Sequence, residues 1–299
     1  MSLSGSICAI ATPFRSSDDA LDLAAFERLV EHQVGNGTRA LVVAGSTGEA
    51  AALDEAEFEA LLKAAVRRIA GRIPALAGTG QSGTRRTVAQ TRRARDAGID
   101  FALVVAPPYV RPTQEGMYRH FCEVAEQGGL PVVLYNVPTR AACDLLPETV
   151  ARLAAHGNIV GIKEAVADEA RMRALLPLRG PGFAVLSGDD GMAARAIQAG
   201  ADGVISVAAN VDPARMARLC DASRSDPQAA AALDRDLQPL FALLGCEPNP
   251  IPLKWCLSRL GYGEAHLRLP LLKLTGSHHA EAEKVLSALG LFERAAAVG

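Results

Sequence analysis

Ala97-Gly98-Ile99-Asp100-Phe101-Ala102-Leu103 decides the fold, because its pattern returns later in the chain as Ala199-Gly200-Ala201-Asp202-Gly203-Val204-Ile205. Each copy joins a glycine at the end of a predicted helix to the first residues of an apolar strand. An internal repeat of this kind is typical of a chain that is built from similar units. The same strand–helix unit is therefore expected between and around the two copies.

Eight β-rich segments lie along the chain at intervals of about 20–35 residues, with helical segments between them. They cover residues 6–11, 40–45, 75–78, 101–106, 132–137, 159–165, 183–188 and 203–208. Residues 54–70 show the helical period, with an apolar stripe behind a capping-box pair formed by Asp54 and Glu57. Eight strands with a repeat between units four and eight favour an α/β fold, the (β/α)8 TIM barrel, over an open sheet.

The strand pattern stops after Asp221, and the rest of the chain is predicted to be helical. We therefore predict a barrel domain over residues 1–224 and a small C-terminal helical appendage over residues 225–299. A chain of 299 residues, 49% of them hydrophobic, is long enough for a barrel of roughly 200–250 residues with such an addition.

Composition excludes several classes of function. A net charge of −2 gives no electrostatic footprint for nucleic acid or for an anionic membrane. No apolar run reaches the roughly 18 residues of a membrane span, and the N-terminus lacks a basic leader, so a cytoplasmic protein is expected. The six cysteines form no CxxC pair and the six histidines have no metal-binding spacing, so no metal site is predicted.

Lys163 lies where a lysine is unusual, inside an apolar run that is predicted to be a buried strand. Burial disfavours the ammonium form of a lysine, and a neutral amine in an apolar pocket is a nucleophile that forms a Schiff base with a carbonyl compound. The alternative is a structural lysine at a strand end, which pairs with Glu164 or extends its amine to water.

Polar residues at the other strand ends bear on this choice, since the active site of a (β/α)8 barrel lies at the C-terminal ends of its strands. Taken singly, a strand-end tyrosine fits packing, a Gly-Ser-Thr-Gly segment fits a turn, and an arginine after a strand fits an exposed side chain. Asp190 fits a helix cap. The convergence of such residues on one rim with a buried lysine favours an active site instead. They are Ser46, Thr47, Tyr109, Tyr135, Asn136, Arg140, Asp189, Asp190 and Ser206.

These segments resemble the dihydrodipicolinate synthase / N-acetylneuraminate lyase family of class I pyruvate-dependent aldolases, over nearly the whole chain. The motifs that carry the resemblance are Ala11-Thr12-Pro13-Phe14, Gly45-Ser46-Thr47-Gly48-Glu49, Pro112-Thr113-Gln114-Glu115-Gly116, Tyr135-Asn136-Val137-Pro138, Gly161-Ile162-Lys163-Glu164-Ala165 and Pro248-Asn249-Pro250-Ile251-Pro252. The resemblance implies that Lys163 condenses with pyruvate and that Tyr135 is the general acid/base above the imine. It further implies that no cofactor is needed, because the substrate itself forms the imine.

The same resemblance implies roles for further residues of the rim. Thr47 and Tyr109 are expected to relay protons to the general acid/base, with Tyr109 reaching into the site of a neighbouring subunit. Ser46 and Thr47 are expected to hold the pyruvate carboxylate, and the carbonyl of Ile205 is expected to line the pocket. The family's usual assembly implies a homotetramer, a dimer of dimers, without a nucleic-acid or membrane partner.

Within the family the synthase branch is the closer likeness, which implies condensation of pyruvate with aspartate 4-semialdehyde on the diaminopimelate route to lysine. Arg140 matches the position that binds the carboxylate of the aldehyde, and Gly188 belongs to a synthase-like segment. Ser46 and Ala141-Ala142 depart from the synthase pattern. Another pyruvate aldolase therefore stays open, acting on N-acetylneuraminate, a keto-deoxy sugar acid or hydroxy-oxoglutarate, as does a keto-acid-binding regulator without turnover.

Many synthases of this family are inhibited by lysine bound between subunits, and six positions here match that effector site: Ala50, Glu55, Phe58, Ser82, Arg86 and Pro108. Arg86 stands where the sensitive pattern has a glutamate for the effector's ammonium group. Two cations repel each other in such a cleft. Little or no inhibition by lysine is therefore expected.

Overall fold

Eight parallel strands close into a barrel in chain order in the computed structural model, which describes residues 3–296. The strands are β1 (Gly5–Ala9), β2 (Ala40–Val43), β3 (Ala75–Gly78), β4 (Phe101–Val105), β5 (Val132–Asn136), β6 (Ile159–Glu164), β7 (Ala184–Ser187) and β8 (Gly203–Ser206). The predicted fold is confirmed, and each predicted strand is present. Most predicted strands run one or two residues too far at the C-terminal end, where the backbone leaves the ladder to form the rim; Ala44, for example, has a φ of 51°.

The repeated stretch that predicted the barrel makes the same contacts in both copies. Asp100 accepts a hydrogen bond from the N–H of Ala75 at 2.8 Å, and Asp202 accepts one from the N–H of Val185 at 2.9 Å. Each aspartate thus fastens the start of its own strand to the start of the preceding strand. The second copy also closes the barrel, because Gly203 pairs with Gly5, and a Cβ at Gly203 would lie 2.1 Å from the carbonyl oxygen of Gly5.

Helices surround the strands and continue beyond the eighth unit. They are α1 (Leu23–Gly35), α2 (Glu55–Ile69), α3 (Thr84–Asp96), α4 (Gln114–Gln127), α5 (Pro138–Ala141), α6 (Pro147–Ala154), α7 (Glu169–Leu175), α8 (Ala193–Gln198), α9 (Pro213–Ser225), α10 (Pro227–Leu244), α11 (Ile251–Arg259), α12 (His279–Ala288) and α13 (Leu291–Ala296). The capping box of α2 is formed as predicted, by Asp54 and Glu57. None of the helices within residues 3–296 has the length and apolar character needed to cross a membrane.

The C-terminal helices follow the barrel directly, since α9 ends at Ser225 and α10 begins at Pro227. The division into domains at residues 224 and 225 stays a prediction, and its outer ends, residues 1–2 and 297–299, lie outside the described residues. α11 returns to the rim of the barrel, where its first turn follows Asn249 and Pro250.

The core has two layers that follow the alternation of side chains along each strand. One layer fills the barrel and includes Ile7, Val42, Leu103 and Leu186, while the other lies between strands and helices. On β5 and β6 this alternation points Tyr135 and Lys163 into the barrel and Asn136 and Glu164 toward the helices. The inward pair occupies neighbouring positions, because Tyr135 is in register with Lys163.

Candidate active site

A cavity of about 530 Å³ opens at the C-terminal ends of the strands. Ser46, Tyr135, Arg140 and Asn249 are among the residues that line it. Three of these four are predicted site residues, Ser46 from the loop after β2 and Tyr135 and Arg140 from β5 and the helix after it, and the barrel brings them together as expected. Lys163 does not line the open cavity itself and lies deeper, beside the ring of Tyr135.

Lys163 is buried, with 5% of its surface exposed, and its Nζ lies 4.4 Å from the centroid of the Tyr135 ring. Within residues 3–296 the amine has no ion pair and no hydrogen bond to protein. Glu164 is directed away from it, to the other face of the strand, where its carboxylate accepts from Asn136 and Val166. In the described structure Lys163 therefore neither pairs with Glu164 nor extends to the surface.

Gly188, at the end of β7, leaves the space that the Lys163 side chain occupies. A Cβ at Gly188 would lie 3.0 Å from Lys163 Cε and 2.9 Å from the Cβ of Ala165. Any larger residue there has to displace the lysine stem or the strand beside it. Gly188 therefore shapes the channel along which the amine reaches the site.

The loop after β2 presents backbone and hydroxyl groups to the cavity. Thr47 is buried, and its hydroxyl oxygen accepts a hydrogen bond from Asn249 Nδ2 at 3.0 Å. Ser46 is exposed. Within the described part of the chain, the N–H groups of Ser46 and Thr47 meet no backbone acceptor, whereas the next residues donate back within the turn, such as Gly48 to Gly45 at 3.0 Å. Adjacent free N–H groups beside a hydroxyl form a concave site for a carboxylate.

A buried ion pair lies beneath this loop. Lys254 Nζ of α11 is 2.6 Å from Glu49 Oε1, with the two side chains 2% and 1% exposed. The ammonium group also lies 4.4 Å from the centroid of the Phe14 ring. Burial lowers the pKa of Lys254, and the nearby Glu49 carboxylate opposes that shift. Sequence reasoning missed this pair, although a lysine inside the apolar start of α11 is the same kind of signal as Lys163.

Arg140 lies on α5, the short helix after β5, and is exposed. Its Nη2 donates to the carbonyl oxygen of Asn249 at 3.0 Å. Since the side chain of Asn249 also reaches Thr47, one residue connects the two predicted substrate-binding loops. The Asn249 Oδ1 atom is buried without a partner among the described residues. Sequence analysis quoted Asn249 only as part of a motif and assigned it no role.

Tyr109 and Ile205 occupy opposite extremes of exposure. Tyr109 is 88% exposed, with a φ of 75°, and its neighbour Val110 is exposed as well. A ring so placed is available to a second subunit and is not held by its own chain. Ile205 is buried inside the barrel on β8, in the same apolar layer as Tyr135.

Asp190 does not cap the helix that follows it, which was the alternative interpretation from sequence. Its Oδ2 accepts from the N–H groups of Val207 at 3.0 Å and Ala208 at 2.8 Å, and so fixes the turn after β8. The neighbouring Asp189 bonds the N–H of Met192 at 2.9 Å. Burial of the Asp190 carboxylate raises its pKa.

The predicted effector positions are only partly at the surface. Ser82 and Arg86 are exposed, and Ala50 and Pro108 line the cavity. Phe58 is buried in the core between α2 and the strands, and the match of these positions to an effector site between subunits stays a prediction. The apolar stripe of α2 predicted this burial of Phe58.

A closed (β/α)8 barrel with a buried, unpaired lysine beneath a tyrosine at its C-terminal rim has the architecture of a class I aldolase. The sequence model of the Dihydrodipicolinate synthetase family matches residues 2–289. The chain belongs to this family and is an enzyme, a lyase.

Individual relatives match over nearly the whole chain. The 4-hydroxy-tetrahydrodipicolinate synthase of Stenotrophomonas maltophilia strain K279a is 58% identical over 294 residues, which is 98% of each chain. The crystal structure of the chloride-inhibited dihydrodipicolinate synthase from Acinetobacter baumannii complexed with pyruvate is 41% identical. It superposes with a TM-score of 0.94 over 97% of this chain and 100% of that one. A structure described as a monomeric dihydrodipicolinate synthase variant is 39% identical, with a TM-score of 0.94 over 97% of each chain.

Proposed function

We propose that this enzyme condenses pyruvate with aspartate 4-semialdehyde to give 4-hydroxy-tetrahydrodipicolinate, the first step of the diaminopimelate route to lysine. The observation that carries the chemistry is the buried Lys163 amine, which has no ion-pair partner in the described chain and lies 4.4 Å from the Tyr135 ring. The choice of aldehyde rests on relatives that are named 4-hydroxy-tetrahydrodipicolinate synthase, one of which is 58% identical over 98% of this chain.

The chemistry begins at the amine of Lys163, which attacks the C2 carbonyl of pyruvate and releases water as the imine forms. Tyr135 is in register with the lysine across β5 and β6, so its hydroxyl is the proton donor and acceptor for this step. The protonated imine withdraws electrons, so a C3 proton leaves and an enamine results. The enamine attacks the aldehyde carbon and forms the new C–C bond. The amino group of the aldehyde substrate then attacks the imine carbon, so the ring closes and the Lys163 amine leaves as the free amine. No cofactor takes part.

The two carboxylates are bound at different loops. Ser46 and Thr47 hold the carboxylate of pyruvate through free N–H groups and hydroxyls, and Asn249 orients the Thr47 hydroxyl. Arg140, exposed at the edge of the same cavity, holds the carboxylate of the aldehyde. Gly188 and the carbonyl of Ile205 line the space between the two. Thr47 passes protons between Tyr135 and the solvent side of the site.

The assembly we propose is a homotetramer built as a dimer of dimers, in the cytoplasm. Its support is Tyr109, whose 88% exposed ring would enter the neighbouring subunit's site and complete the proton relay with Thr47 and Tyr135. A relative described as a monomeric variant shows that such barrels also exist as monomers, so the assembly needs its own measurement. Sedimentation of the wild type and of Tyr109→Ala provides it.

The test of the function is reductive trapping followed by an aldehyde panel. Pyruvate and borohydride should add one reduced pyruvyl group to the peptide that contains Lys163. Lys163→Ala should lose the label, while the exposed control Lys63→Ala should keep it. Aspartate 4-semialdehyde should then be the best acceptor. A label that survives in Lys163→Ala refutes the imine, and a preference for cleavage of N-acetylneuraminate, a keto-deoxy sugar acid or hydroxy-oxoglutarate refutes the choice of aldehyde. Binding of keto acids without turnover would indicate a regulator.

A further inference from the structure

A polar cluster lies directly behind the reacting pair, on the outer face of β5 and β6. Asn136 and Glu164 are in register with each other, one residue beyond the register pair Tyr135 and Lys163. Both side chains are buried between the strands and the helices. They therefore lie next to the site along the chain but on the opposite side of the barrel wall.

Asn136 closes the loop that carries Arg140. The chain leaves β5 at Asn136, passes through α5 and returns at Asp144 and Leu145. The Asn136 side chain bonds to this returning segment. Its Oδ1 accepts from the N–H of Leu145 at 2.9 Å, and its Nδ2 donates to Asp144 Oδ1 at 2.8 Å. Arg140 lies at the middle of this closed segment, four residues from each end, so the position of the guanidinium depends on the base of the loop.

Glu164 holds Asn136 in the orientation that closes the loop. Both carboxylate oxygens of Glu164 accept from Asn136 Nδ2, at 3.1 and 3.0 Å, and Oε1 also accepts from the N–H of Val166 at 2.8 Å. With the amide nitrogen donating to two carboxylates, its oxygen has to face Leu145. The side chain of Glu164 is fully buried, so this orientation is not exchanged for bonds to water.

Arg171 of α7 completes the cluster. It pairs with Asp144 and donates to the carbonyl oxygen of Leu145 at 3.2 Å, and its Nη1 lies 3.9 Å from Glu164. The cluster therefore connects the return of the loop to α7 as well as to β5 and β6. A buried charged cluster costs desolvation free energy, and apolar residues of similar volume often give equal or greater stability. The role of this cluster is thus better explained by the geometry that it imposes on the loop than by a gain in the stability of the protein.

We propose that Asn136 and Glu164 are positioning residues which set the affinity for the second substrate's carboxylate by fixing the loop of Arg140, without contact with either substrate. This inference rests on the proposed function, since it takes Arg140 as the carboxylate-binding group. Pyruvate is bound at Lys163 and the loop after β2, outside the closed segment. Loosening the base of the loop should therefore affect the aldehyde step far more than imine formation.

The test compares Asn136→Ala with the matched control Asn158→Ala. Asn158 lies at the opposite end of the barrel, where its Nδ2 donates to the backbone carbonyls of Ala125 at 2.6 Å and Leu130 at 3.0 Å. Asn136→Ala should raise the KM for aspartate 4-semialdehyde roughly 10–100-fold, because a displacement of about 1 Å in a positioning group costs up to that much. The rate of pyruvate trapping at Lys163 should stay within about threefold of wild type, and Asn158→Ala should change neither value.

A double-mutant cycle distinguishes action through Arg140 from a general loss of structure. Asn136→Ala combined with Arg140→Ala should have the same KM for the aldehyde as Arg140→Ala alone, because the loop then positions nothing. If Asn136→Ala does not fold, Asp144→Ala replaces it in the same cycle with Arg140→Ala, because Asp144 is half-exposed and its loss should be better tolerated. An unchanged aldehyde KM in the variant that folds, additive effects in the cycle, or an equal fall in the trapping rate would each overturn the proposal. Failure of wild-type trapping would instead refute the proposed function.

Discussion

Replacing Lys254 by Met removes the ammonium group of the buried pair with Glu49 but keeps a side chain of similar length. The Glu49 carboxylate is then left at 1% exposure, with the N–H of Arg268 at 3.2 Å as a remaining donor. Removing one partner of a buried ion pair costs about 3–5 kcal/mol, because the other charge stays desolvated. We expect a free energy of unfolding lower by that amount, and a melting temperature lower by roughly 6–15 °C.

Urea unfolding followed by far-UV circular dichroism, with thermal melts in parallel, measures this loss. Lys63→Met is the matched control: Lys63 pairs with Glu59 at 3.3 Å, but the two side chains are 60% and 40% exposed. That exposed pair should contribute less than about 1 kcal/mol.

Neutralising the carboxylate in the double variant Lys254→Met/Glu49→Gln should recover more than half of the lost stability. A single variant within about 1 kcal/mol of wild type would refute the reasoning, as would a double variant no more stable than Lys254→Met.

Three further predictions follow from the site and its surroundings. Gly188→Ala should slow pyruvate trapping at least about tenfold, because its methyl group would lie 3.0 Å from Lys163 Cε, whereas Gly182→Ala, with open space around it, should not. Burial raises the pKa of Glu164 from 4.5 to about 6. The folded protein thus binds that proton more tightly than the unfolded chain, so stability falls as the pH rises through this range, by on the order of 2 kcal/mol. Glu164→Gln should remove this part of the pH dependence in urea titrations at several pH values. Millimolar lysine should inhibit little or not at all, since Arg86 places a cation where the effector's ammonium group would bind.

A specific result would contradict each of these three predictions. Equal trapping rates in the two glycine variants would show that the lysine stem moves without cost. The same pH dependence of stability in Glu164→Gln and wild type would show that this carboxyl group titrates as in the unfolded chain. Tight lysine binding by calorimetry, with matching loss of activity, would show that another carboxylate compensates for Arg86.

Local sequence patterns were enough to predict the strands and to single out Lys163. The copies at Asp100 and Asp202 reveal the repeated unit, and in the structure each aspartate makes the same hydrogen bond to the start of the preceding strand. Lys163 is recognisable because a charge in an apolar strand violates the usual partition of residues. Strand ends were predicted less well, since the point where a chain leaves the ladder depends on its neighbours in the barrel.

The sequence by itself therefore determined the barrel, the order of its units and the burial of Lys163. Alternation within each strand, the helical period between strands and the repeat of whole units are all visible in the order of residues. Only the tertiary structure decided that Asn249 connects Thr47 to Arg140, that Lys254 neutralises Glu49, and that Asn136 closes its own loop through Glu164. The first two of these contacts join residues about 100 to 205 positions apart, and the third depends on the register between two strands. Polar side chains carry no periodic signal for such partners, because a hydrogen bond is specified by distance and direction in the folded chain and not by position along it.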